Sequence, residues 1–286
     1  MTNNMRLYLC QEAEKITDNA LTQYKDLKSW KADREERYRQ YMDMMGLADL
    51  PPREKREPVK VHHVDTLERD GYKIEKIYYE SLPKLYVPAD LYIPTNVDGP
   101  VPGVLYVCGH SRTQKVRYQT HARRFAQLGF VTLIHETIQW GEVRGEHWGC
   151  YARGWFHWYS RGYTPGGTEL INGIRGLDLL QERPEVDPNR LGVTGISGGG
   201  ALSWYVAAAD ERIDVAAPVC GTGTLESHIE DRTVDGHCDC MWWINSHQWD
   251  LSELAALIAP RPLMIASANR DGLYTIESIR ECHEDI

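Results

Sequence analysis

The chain has 286 residues, of which 42% are hydrophobic and 26% charged, which fits one large α/β domain with an extra segment, or two small domains. Its 32 Lys and Arg against 41 Asp and Glu leave a net charge of −9, which excludes a general nucleic-acid binder: there is no basic surplus to neutralise phosphates. No stretch approaches the roughly 18 apolar residues of a membrane span, so no membrane partner is expected.

The amino terminus, Met1 to Cys10, has no sustained apolar core of a signal peptide. A cytoplasmic location is the expectation for the chain as written, although a leader already removed would leave no trace in it. Seven cysteines, Cys10, Cys108, Cys150, Cys220, Cys238, Cys240 and Cys282, are scattered and odd in number, the pattern of reduced thiols rather than a disulfide framework.

Residues 11–50 alternate Lys, Arg, Glu and Asp with Leu, Tyr and Met, a solvated helical pattern closed by Pro51-Pro52. We therefore expect an N-terminal helical extension over 1–57, packed on a main domain over 58–286. Strand-like runs follow at Val59 to Val64, Tyr72 to Tyr79 and Leu85 to Ile93, separated by turns at Arg69-Asp70-Gly71 and around Pro83. The chain then alternates. Strands are predicted at Val101 to Cys108, Phe130 to His135, Leu191 to Ile196, Val215 to Val219 and Pro262 to Ala268. Helices are predicted at Tyr118 to Leu128, Thr168 to Arg183, after Ser197, and over Thr275 to Ile286. The basic stretch Arg112 to Arg124 reads as a solvated helix face, and Asp187-Pro188-Asn189-Arg190 as a turn. Such alternation implies an α/β fold with a mostly parallel central sheet flanked by helices.

Two aromatic-rich insertions, about 139–167 and 225–250, interrupt the alternation. They hold Trp140, Trp148, Trp155, Trp158, Trp242, Trp243 and Trp249, seven of the nine tryptophans. These rings either line a substrate pocket, with Trp140 and Trp242 as the candidate substrate-binding residues, or pack the insertions themselves.

The segment Leu191 to Tyr205 carries the chemistry. An apolar strand runs into Gly195-Ile196-Ser197-Gly198-Gly199, and a helix follows. A Gly-x-Ser-x-Gly turn between strand and helix is a nucleophile elbow, with the serine hydroxyl presented on a strained turn. Ser197 is the candidate nucleophile.

With Val104 to His110 and Ala259 to Asp271, this block makes the chain resemble the α/β-hydrolase superfamily. Within it, the branch of acetylxylan esterases, cephalosporin deacetylases and dienelactone-hydrolase-related proteins is the most similar. The resemblance covers residue 60 onwards and leaves the first fifty residues outside. It implies attack by Ser197 on an ester carbonyl after loss of its proton to a histidine, and an acyl-enzyme intermediate. It also implies an oxyanion hole formed by the amides of Gly198 and His110, with Cys108 standing where the family usually has histidine. Asp271, at the end of a strand, takes the acid position. No cofactor is implied. The substrate would be a small-molecule or carbohydrate ester.

In this superfamily the histidine follows another helix and strand beyond the acid. Residues 272–286 read instead as the start of one helix, so the final strand and its histidine loop are expected to be missing from this sequence. His283 is the sole histidine after Asp271, on a helix and directed away from Ser197; His237 and His247 would require a rearranged triad. The unpaired sheet edge this leaves is compatible with a homo-oligomer. Two other readings remain: an amidase or peptidase similar to the prolyl oligopeptidase catalytic domain, and a non-catalytic ligand-binding relative. Gly236-His237-Cys238-Asp239-Cys240 offers zinc-type ligands but lacks a second pair at matching spacing, so no metal is expected.

Overall fold

The computed structural model describes residues 4–147, 149, 153–233 and 243–286. The charged N-terminal stretch forms two helices, α1 (Asn4–Asp18) and α2 (Leu27–Met44), where the sequence reading expected one continuous pattern. Asp26 starts α2 by accepting the Ser29 amide at 2.8 Å, a capping box that a four-residue turn from Leu21 to Tyr24 leads into.

Seven strands make one sheet in the order β1-β2-β3-β5-β4-β6-β7. β1 (Val61–Arg69), β2 (Tyr72–Leu82) and β3 (Leu85–Pro94) form an antiparallel meander, and β3 joins β5 (Val131–His135) antiparallel. β4 (Val101–Val107), β6 (Val186–Ile196) and β7 (Ile213–Val219) run parallel with β5. Five of the seven strands therefore point one way. The turn expected at 187–190 lies inside β6 as an irregularity, where Asp187 accepts the Asn189 amide at 3.0 Å. The predicted strand at Pro262 to Ala268 pairs with β7 only through isolated parallel bridges, Ala216 to Leu263 and Val219 to Ala266. Proline at 262 removes a donor there, and Met264, 58% exposed, faces outward.

Helices cover both faces. α3 (Gln114–Gln127) lies against β3 and β5 over a smaller core of Tyr72, Ile74, Tyr92, Tyr106, Ala122 and Ile134. On the other face, α5 (Pro165–Glu182) and α6 (Gly198–Ala209) pack on β4 and β6 over the main core; between β5 and α5 lies the short α4 (His157–Ser160). α5 starts at Thr164, whose hydroxyl accepts the Gly167 amide at 2.8 Å, with Pro165 at the first helical position. α7 (Leu225–Glu230), α8 (Ser252–Ile258) and α9 (Ile276–Glu284) complete the chain.

The N-terminal helices are tied to this body by side chains. Tyr41 donates to the Tyr205 carbonyl at 3.0 Å and Tyr38 to the Ala209 carbonyl at 3.1 Å. The fully buried Asp250 accepts from the Thr17 hydroxyl at 2.7 Å and the Leu225 amide at 2.7 Å, joining α1, α7 and the start of α8. Trp243 and Trp249 are buried beside Tyr41, at 6.4 and 6.2 Å between ring centroids, so these two tryptophans pack the insertion rather than line a pocket. The basic stretch 112–124 is solvated only in part: Gln114 and Lys115, near its start, are buried.

Candidate active site

The C-terminal ends of the parallel strands converge on Ser197. Its backbone has φ 60° and ψ −120°, a region that a non-glycine residue occupies at a cost of about 1–3 kcal/mol. The strain is held from both sides: the Ser197 amide donates to the Val219 carbonyl at 2.9 Å, and its carbonyl accepts from Ala201 at 3.0 Å. Glycine is dictated by backbone proximity. A Cβ on Gly199 would overlap the Val107 carbonyl, and one on Gly198 would overlap the His110 imidazole. The elbow and the loop after β4 are thus in direct contact, so Gly198 and His110, named from sequence as oxyanion donors, are brought together beside Ser197. Gly198 opens α6, where the unpaired amides and the helix dipole favour developing negative charge.

The other side is aromatic. The His110 ring lies 4.7 Å from His147 and 6.4 Å from Trp140, and Trp140 lies 5.1 Å from His147, centroid to centroid. His147 is buried and shares a 2.8 Å hydrogen bond with the Ile138 carbonyl through Nδ1. This places Trp140 on the wall of the site. Trp242 and His237 lie outside the described residues, as does the cluster 236–240.

Asp271 stands at the same end of the sheet, half-buried, its Oδ1 accepting the amides of Leu273 at 2.8 Å and Tyr274 at 3.4 Å. Its neighbour is Cys220, the residue after β7, which has φ 56°. Burial pushes the Cys220 thiol up, a hydrogen bond to the Ala268 backbone opposes this, and the Asp271 carboxyl adds to it. His283 is exposed on α9, one residue past the inward-facing Cys282. His247 is set against α2, with Nε2 3.6 Å from the Asp43 carboxylate. His228 is buried, with Nδ1 2.6 Å from the Thr224 carbonyl and its ring 5.0 Å from Tyr274. Among the described residues no group of three or more His, Cys, Asp or Glu could hold a metal ion.

Sequence reasoning missed the residues that hold the loop after β5. The Thr137 amide donates to Gln114 Oε1 at 3.1 Å, the Ile138 amide to Glu169 Oε1 at 2.7 Å, and the Glu142 amide to Glu136 Oε2 at 2.7 Å. Lys115 bridges Glu136 at 2.8 Å and Glu142 at 2.5 Å. Burial opposes its charge, but these two carboxylates hold the ammonium above its usual range. Glu169, on the first turns of α5, is pushed up to about 8 by burial, against the Ile138 amide. The one sequence signal that could have found Glu169 is a charged residue beside the apolar stripe of this helix.

Comparison with known proteins identifies the family and the fold. A model described as the dienelactone hydrolase family matches residues 87–237, just over half of the chain and including the elbow. A second, described as an Abhydrolase family, matches residues 11–126; it begins inside α1, so the similarity extends into the helices the sequence reading placed outside it. The provisionally named hydrolase YtaP of Bacillus subtilis (strain 168) is 25% identical over 88% of this chain and 86% of its own length. Among solved structures, a glucuronoyl esterase from Solibacter usitatus superposes with TM-score 0.69 at 16% identity, covering 91% of this chain and 80% of that one. An acetyl xylan esterase from Paenibacillus sp. R4 gives TM-score 0.59 at 16% identity over 95% and 97%. At such identities these two structures establish the shared α/β-hydrolase fold.

Proposed function

Because this chain belongs to the dienelactone hydrolase family, we propose that it is a serine ester hydrolase working through an acyl-enzyme on Ser197. The observation that carries the reading is the backbone of Ser197: a strained, left-handed serine at a strand-to-helix elbow, half-buried, with the loop of His110 against it. Strain of this kind persists only where surrounding structure enforces it, and it presents the hydroxyl to a bound ester.

In this reading the Ser197 oxygen attacks the ester carbonyl while its proton passes to a histidine. The tetrahedral oxyanion is met by the amides of Gly198 and His110, and collapse releases the alcohol, which takes the proton back from the histidine. Water, deprotonated by the same histidine, then hydrolyses the acyl-enzyme to the acid and restores Ser197. Asp271 holds the imidazole in the working tautomer and stabilises its charged form. Trp140 stacks on the substrate. Neighbours of the same fold that bear the names acetyl xylan esterase and glucuronoyl esterase support a carbohydrate ester as the substrate class, with an acylated carbohydrate as the variant that the first name favours.

Intact-mass analysis after fluorophosphonate treatment tests this. A single adduct on the wild type that disappears in Ser197→Ala, with hydrolysis of p-nitrophenyl acetate reduced on the order of 10⁴-fold or more, is expected. Replacing His110, His237, His247 and His283 one at a time then identifies the base. A folded wild type that takes no adduct sinks the reading and leaves a ligand-binding relative.

A further inference from the structure

We propose that Gln114 is a positioning residue of this hydrolase: its side chain aims the His110 amide at the oxyanion and locks that loop to the loop carrying Trp140. The inference rests on the ester-hydrolase reading above.

Gln114 opens α3, is fully buried, and has φ 36°, an unfavourable backbone for a non-glycine residue. Something must hold it there, and both ends of its carboxamide are engaged. Nε2 donates to the Ser111 carbonyl at 2.9 Å and the Gly109 carbonyl at 3.4 Å, and Oε1 accepts the Thr137 amide at 3.1 Å. The Thr137 hydroxyl returns to the Cys108 carbonyl at 3.1 Å. Three carbonyls of the four-residue run 108–111 are therefore fixed by two side chains.

The Gly109 carbonyl and the His110 amide belong to one peptide unit. That unit is planar and trans, so its C=O and N–H point in opposite directions. Fixing the oxygen toward Gln114 turns the His110 N–H away from α3, while the ring of His110 rests on Gly198, the other proposed donor. An oxyanion hole works only when its donors are set before the charge develops, and small misalignments cost rate rather than binding. The next residue, Lys115, ties the same turn of α3 to Glu136 and Glu142, so the two loops move as one body.

The experiment compares wild type with Gln114→Met, Gln114→Glu and Thr137→Val. It reads kcat and KM for p-nitrophenyl acetate, inhibition by phenylboronic acid as a tetrahedral adduct former, and Tm. Gln114→Met should lower kcat roughly 10- to 100-fold, less than outright loss of a donor, with KM within about threefold. The boronate inhibition constant should rise in step with the loss in kcat/KM. Gln114→Glu keeps an acceptor for Thr137 but sets carboxylate oxygens against two carbonyls, and should lose as much. A purely structural role predicts a lower Tm with unchanged kcat per folded molecule and unchanged boronate inhibition, and that result overturns the proposal. If neither Gln114 variant folds, Thr137→Val decides: a loss in kcat of roughly three- to tenfold supports the proposal, and wild-type kinetics overturn it. A wild type inert to both fluorophosphonate and ester removes the ester-hydrolase reading and this inference together. Wild-type turnover matched by the variants removes the inference alone.

Discussion

The nucleophile elbow and the loop after β5 face each other across the candidate site, and they are built by opposite means. The elbow is made of backbone against backbone: Gly195, Gly199 and Gly200 leave no room for a Cβ beside the carbonyls of Val107, Val219 and Cys220. The local glycines supply the space, and the backbones of β4 and β7 enclose it. Residues 136–142 are held instead by side chains drawn from α3 and α5, with Gln114, Lys115 and Glu169 satisfying amides and carboxylates from 20 or more residues away. Contact-tight backbone tolerates no added atom, whereas a loop held by buried charge tolerates no lost partner.

Gly199→Ala should separate the two most sharply. The new Cβ meets backbone, which has nowhere to move, so we expect a loss of about 4 kcal/mol or more and no fluorophosphonate adduct. Gly162→Ala serves as the control. Space is open there, so only the positive φ of 76° is penalised, at about 1 kcal/mol. Urea unfolding of both variants checks the contrast, and equal losses would show that backbone proximity at the elbow is not the constraint.

Lys115→Met tests the other side. The Lys115 and Glu136 side chains are 8% and 3% exposed, so removing the cation leaves a buried carboxylate without its main partner. A loss of about 3–5 kcal/mol is expected, most of it from the stranded Glu136. The double variant Lys115→Met with Glu136→Gln should recover much of that loss. If the double variant is no better than the single one, the pair is not what holds the loop.

That division also explains what could be read in advance. The elbow and the strand alternation follow from a motif whose glycines state their own reason and from periodicity, whereas the pairing of Gly198 with His110 came from the family resemblance. The helices after Ser197 and over 165–182 followed from apolar spacing, and the sequence reading misplaced the latter's start because Thr164 and Pro165 form a cap that spacing alone does not mark. Lys115 looked like one more cation on a solvated helix, since nothing in a local pattern shows Glu136 approaching from the next strand end. The tryptophans divided for the same reason: Trp243 and Trp249 are buried by α2, an element distant in sequence, while Trp140 stays at the site.

The smallest effect is the most specific to the loop. Glu169 has its carboxyl raised from 4.5 to about 8 by burial, so between these values the folded protein holds a proton the unfolded chain has lost. Stability then falls as pH rises through that window, by up to about 1.4 kcal/mol per pH unit, and levels off above pH 8. His135, lowered from 6.5 to about 4 by burial, acts oppositely: the unfolded chain binds its proton first, so stability is lost as pH falls from 6.5 towards 4. The two partly cancel below pH 6.5, which leaves 6.5–8 as the window where Glu169 shows. Glu169→Gln keeps a carbonyl oxygen for the Ile138 amide and removes the titration. Its urea midpoint should therefore stay level from pH 6.5 to 8 while that of the wild type declines. A wild-type midpoint that does not decline, or a variant that declines as steeply, would mean that the charge under this loop is held by another group, and that the loop is less dependent on buried ionisation than the elbow comparison implies.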